Sequence, residues 1–148
     1  KSTLINRLAQ SKSAKTGNTP GVTKAQQWIK LGNHFDLLDT PGVLWPKFDD
    51  IRVGYHLAIT GAIKDAILPI DDVCDYAITF LQKYYHDRLE KRYQLTNDKQ
   101  TFIDILNHIG KLRGAISKKQ DIDYERVYQI ILTDIRNKQL GGLSFDRL

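Results

Sequence analysis

Lys1-Ser2-Thr3 leads into a helical pattern, and Asp39-Thr40-Pro41-Gly42 closes an apolar run 38 residues later. A lysine followed by a hydroxyl residue at a helix start is the tail of a phosphate-binding loop. The lysine reaches the β- and γ-phosphates and the next hydroxyl ligates Mg²⁺. The helix start adds unpaired N–H groups and a positive dipole end. Lys1, Ser2 and Thr3 are therefore candidate phosphate contacts, with Ser2 also a candidate metal ligand. Asp39, at a strand end, offers a hard oxygen to Mg²⁺, usually through water. Gly42 lets its backbone N–H come close to a γ-phosphate. Between the two motifs lies Pro20-Gly21-Val22-Thr23-Lys24. A nucleotide switch needs a threonine on a loop here, closing its hydroxyl and carbonyl over Mg²⁺ and the γ-phosphate. Thr23 is the first choice and Thr19 the second. Each motif alone is common, since an aspartate-initiated Pro-Gly turn ends many strands. Their order and spacing together point to a GTPase.

The base-recognition motif Asn-Lys-x-Asp is not found downstream of Asp39. Asn137-Lys138-Gln139-Leu140 begins like it but ends in leucine, inside a predicted helix. Ser13-Ala14-Lys15 imitates another base-side motif, in a position where that motif does not belong. The chain also contains no methionine. A chain that opens on a phosphate-loop lysine is expected to be the C-terminal part of a longer protein, with the base-binding half upstream.

These residues need elements to hold them. Leu4, Ile5 and Leu8 predict a helix over 1–10 with one apolar stripe. Residues 11–24 read as a loop. Residues 25–31 and 34–39 read as strands joined at the two-residue turn Gly32-Asn33, an antiparallel hairpin. Phe35, Leu37 and Leu38 place apolar groups on both faces of the second strand, as in the interior of a sheet. Residues 51–63 look helical, with Ile51, Tyr55, Ala58, Ile59 and Ala62 on one side and Gly54 and Gly61 weakening the pattern. From Asp71 the texture is helical. Caps at Asp71 or Asp72, at Asp98 and at Asp123 predict three helices, the last ending at Gly141-Gly142. A boundary near residue 70 thus separates an α/β part, 1–70, from an all-α part, 71–148.

Composition narrows the class. The chain has 148 residues and a net charge of +5, a surplus too small to prove a polyanionic partner. No apolar run is long enough to cross a membrane, which fits a cytoplasmic protein. The single cysteine, Cys74, has no disulfide partner and reads as a small buried residue. His86 and His108 lack neighbours at metal-ligand spacing. Lys111, Arg113, Lys118 and Lys119 form an acid-free basic stretch around Gly110 and Gly114. They are candidate RNA phosphate contacts, or else cations gathered at a helix end. A second basic run, Lys83 to Tyr93, mixes tyrosines with charge. Its helical spacing favours core packing over base stacking.

Lys1-Ser2-Thr3-Leu4-Ile5-Asn6, Pro20-Gly21-Val22-Thr23, Leu37-Leu38-Asp39-Thr40-Pro41-Gly42 and Val43-Leu44-Trp45-Pro46 resemble the YlqF/YawG family of circularly permuted GTPases. The likeness runs on through Leu57-Ala58-Ile59-Thr60-Gly61-Ala62-Ile63-Lys64-Asp65 to Gly142-Leu143-Ser144-Phe145, essentially the whole chain. It implies a P-loop GTPase part followed by a helical RNA-binding-like domain. It also explains the missing motif, because in this family the base-recognition segments precede the phosphate loop. The implied ligands are GTP or GDP and Mg²⁺, with K⁺ in the intact protein. Lys1, Ser2, Thr3, Thr23, Asp39 and Gly42 would carry the phosphate and Mg²⁺ contacts.

The implied role is a late step in maturation of the large ribosomal subunit, with ribosomal RNA as partner and neither DNA nor membrane. Val43 occupies the position where many GTPases keep a water-orienting glutamine, so no catalytic residue is assigned. Trp45 belongs to the family's switch loop. The alternative is a non-catalytic ribosome-binding module whose phosphate motifs do nothing without the missing half.

Overall fold

The computed structural model describes residues 1–17, 20–31, 35–42, 49–96 and 100–146. Thr19, Val43, Trp45, Asp98 and the Gly32-Asn33 turn lie outside them. Two compact units divide between Asp49 and Asp50.

In the first unit, helix α1 (Ser2–Leu8) is followed by strands β1 (Gln27–Leu31) and β2 (Phe35–Asp39), paired antiparallel. Ile5, Ala14 and Ile29 make a small core, with Ala9, Leu31 and Leu37 packed against it. Leu4 and Leu8 of the expected stripe remain 61% and 56% exposed, because the hairpin covers only the Ile5 side of α1. Leu31 pairs with Phe35, so three residues join the strands rather than the two expected. That register puts Gln27 opposite Asp39. Among the described residues the sheet has only these two strands. Among the described residues β2 pairs with β1 alone, and Trp28, Phe35 and Leu38 are exposed.

The second unit contains α2 (Ile51–Ile59), a 3₁₀ turn (Asp65–Ile67), α3 (Ile70–Tyr84), α4 (His86–Tyr93), α5 (Phe102–Arg113) and α6 (Tyr124–Arg136). Its core includes Ile59, Ile78, Leu81, Leu89, Tyr93, Ile105, Leu106, Ile109, Val127 and Ile131, and Cys74 is buried there as expected. α2, expected on the α/β side of residue 70, buries Ala58 and Ile59 in this helical core.

Local chemistry moved several helix ends. α2 stops at Ile59, and Gly61 follows with φ +71°. There Arg136 of α6 donates to the Ala58 and Ile59 carbonyls while pairing with Asp65 at 2.6 Å. α3 starts after Pro69, so Asp71 and Asp72 lie in its first turn, favourable to the dipole, rather than at its cap. α5 starts at Phe102, where Thr101 and Asp104 form a capping box. Asp123 caps α6 as expected, its carboxylate accepting from the Arg126 N–H at 3.1 Å. α6 ends at Arg136, before the glycines. Asn137 and Lys138 therefore follow the helix instead of lying within it.

Candidate nucleotide site

Asp39 ends β2 on the face that carries Ile29 and Leu37, and it is only 1% exposed. A buried carboxylate is costly unless cations or hydrogen-bond donors meet it. Three side chains do so. Lys1, at the start of α1, places its ammonium 2.6 Å from Oδ1 and also donates to the Thr40 carbonyl. Gln27, opposite in the hairpin register, donates from Nε2 to Oδ2 at 3.2 Å. The Thr23 hydroxyl lies near enough to favour the charged form of the same carboxylate. The Lys1 ammonium is the largest influence and holds the Asp39 carboxyl below the usual aspartate range; Gln27 and Thr23 act the same way, against the opposing effect of burial.

Oδ1 is peculiar. It has the Lys1 charge beside it but accepts no well-aligned hydrogen bond, and it is buried. Lys1 therefore neutralises this atom without filling its lone-pair directions. A buried carboxylate oxygen of that kind suits a hard cation. Among the described residues no three His, Cys, Asp or Glu side chains cluster as a metal site.

The structure thus brings Lys1, Thr23 and Asp39 together. Ser2 and Thr3 open α1 directly after Lys1. Gly42 follows Pro41 beyond the strand, and a Cβ built on it meets nothing within 4 Å. Two supporting residues escaped the sequence reading. Gln27 would have been found from the three-residue connection, which sets it across from Asp39. Asn6 clamps the Ala14 backbone, donating to its carbonyl at 2.8 Å and accepting from its N–H at 2.7 Å. Its place at the end of the Lys1–Asn6 motif is its signal in the sequence.

The RNA candidates fall in the other unit. Lys111 and Arg113 sit in the last turn of α5, where they suit the dipole. Lys118 and Lys119 sit in the turn bracketed by the Ile116–Ile122 bridge. Arg113 is partly committed, with Nη2 3.8 Å from Asp134 and its guanidinium over the Tyr93 ring. In the Lys83–Tyr93 run, Tyr93 is fully buried. His86 pairs with Glu90 at 3.2 Å, and His108 contacts the Tyr93 carbonyl at 2.8 Å.

A family profile described as "50S ribosome-binding GTPase" matches residues 1–119. The chain is similar to ribosome biogenesis GTPase A of Priestia megaterium, with 51% identity over 146 residues that cover 99% of this chain and 51% of that protein. It spans about half the length of the curated relatives it matches. Its fold is similar to that of GDP-bound YlqF, with a TM-score of 0.65 at 22% identity, covering 99% of this chain and 55% of the other. GNP-bound YlqF from T. maritima gives a TM-score of 0.61 at 24% identity, covering 99% and 54%.

Proposed function

Because the chain belongs to the 50S ribosome-binding GTPase family, we propose that it carries the phosphate- and magnesium-binding part of a GTPase acting late in maturation of the large ribosomal subunit. The reaction is in-line attack of water on the γ-phosphorus of GTP. The bond to the bridging oxygen breaks, leaving GDP and inorganic phosphate. The helical part contacts ribosomal RNA, and the protein works in the cytoplasm.

One observation carries this reading: the buried Asp39 carboxylate, met by the Lys1 ammonium at 2.6 Å. Ser2, Thr23 and Asp39 would hold Mg²⁺, which would supply positive charge against the phosphate oxygens. Lys1 would leave Asp39 and the Thr40 carbonyl to meet the β- and γ-phosphates, so the ion pair is the resting position of a movable cation. Thr3 would add a further phosphate contact. Among the described residues no neighbour of Gly42 demands glycine there, and close approach of a γ-phosphate supplies a reason for it. The valine at position 43 cannot hydrogen-bond a water, so intrinsic hydrolysis is slow and the ribosomal particle speeds it.

The test is GTP hydrolysis by the full-length protein, with and without large ribosomal subunits. Subunits should stimulate turnover, and Lys1→Ala should reduce it on the order of a hundredfold, as loss of a charged transition-state donor does. Subunit binding that ignores nucleotide and survives Lys1→Ala would make the protein a passive ribosome-binding module.

A further inference from the structure

We infer that Arg88, Lys91 and Arg92 of α4, joined to Arg113 of α5 through Asp134 of α6, form one surface for the phosphate backbone of a structured RNA. The inference rests on the ribosomal reading above for its choice of RNA, and it adds the site.

The sequence holds these cations in two separate runs. At 100° per residue, positions 88, 91 and 92 share one arc of α4, while Leu89 and Tyr93 point into the core. That arc faces a cleft of 400 Å³ lined by Arg88, Lys91, Arg92, Gln139, Leu140 and Gly141, with no acid among them. Arg88 is held in place by the Gly142 carbonyl and by the Tyr85 ring, 5.0 Å from its guanidinium carbon. Gly141, at φ +80°, keeps the turn close: a Cβ there would lie 3.3 Å from Arg88 Nη1.

Asp134 supplies the link to the second run. It is buried, accepts from Arg92 Nε at 2.9 Å and Nη2 at 2.7 Å, and takes the Tyr93 hydroxyl at 3.1 Å. Arg113 Nη2 lies 3.8 Å from the same carboxylate. One carboxylate thus fixes two guanidiniums from different helices. Four cations against Asp134 and Asp87 leave a local surplus of two. Asp87 borders the arc one turn before Lys91, whereas Glu90 lies outside it and is engaged by His86. Guanidiniums held rigid while still presenting N–H donors are preorganised forks for phosphate. Asp134 is a positioning residue.

The experiment is filter binding of the full chain to a hairpin RNA of defined sequence, between about 50 and 200 mM salt. Arg88→Gln and Lys91→Gln should each weaken binding several-fold and lower the slope of log K against log salt by about 1. Lys64→Gln removes an equal charge from an exposed position in the same unit and should leave the slope unchanged. Circular dichroism checks folding; should Arg88→Gln unfold, Lys91→Gln decides alone. An unchanged slope in Lys91→Gln, or an equal loss in Lys64→Gln, overturns the surface. Failure of the unaltered chain to bind the hairpin overturns the RNA partner itself. Neither result bears on the Lys1→Ala hydrolysis assay, so the two readings fail separately.

Discussion

Asp39 shows how a single residue's surroundings set its chemistry. Its carboxyl lies below the ordinary aspartate value of 3.8, chiefly through the Lys1 ammonium. A depressed carboxylate contributes stability that is fully present above its unfolded pKa and is lost as pH falls through the folded value. This contribution should therefore hold above about pH 4 and fade only in stronger acid. An NMR titration of the Asp39 side chain should give a midpoint below 3.8, and Lys1→Ala should raise it. A midpoint unmoved by Lys1→Ala would mean that the ion pair does not hold the charge. The sequence marks Asp39 as a candidate only through the motifs before it, because an aspartate-initiated Pro-Gly turn by itself ends many strands. Its partners were not all legible. Gln27 reaches Asp39 only because the strands pair one residue out of the expected register.

At the scale of the element, apolar spacing located α3, α5 and α6 but not α4, which the sequence reading did not separate, and side-chain caps begin only α2, α5 and α6. Ile105, Leu106 and Ile109 predicted α5 and are fully buried in it. The helix begins at Phe102 because the Thr101–Asp104 box satisfies its first donors. Gly110 lies within α5, where glycine is normally unfavourable. The packing explains it: a Cβ there would lie 2.7 Å from Ile122 Cγ2 and 2.9 Å from Cδ1. Gly110→Ala should therefore lower stability by about 1–2 kcal/mol, overpacking outweighing the gain in helix propensity. In the Ile122→Ala background the same change should cost less, a coupling that denaturant melts of the four variants would measure. Stabilisation by Gly110→Ala alone would show that the contact yields freely.

Across the whole molecule, the two units differ in how much they bury. The helical unit has a continuous core through its five helices, whereas the first unit rests on Ile5, Ala14 and Ile29. Trp28 on the hairpin is 71% exposed. Opening free energy follows buried contacts, so amides of β1 and β2 should exchange with deuterium well before those of α3 and α6. Equal protection would mean that the hairpin is stabilised by something other than its own core. The sequence by itself located the candidates Lys1, Thr23 and Asp39 and the order of elements, a short helix and a hairpin followed by helices. It could do so because motif order and apolar period are local properties of the chain. Only the tertiary structure decided that α2 packs with the helical unit, that Gln27 faces Asp39, and that Asp134 ties two basic runs into one surface. Those outcomes depend on strand register, loop closure and buried charge, and each joins residues that are distant along the chain.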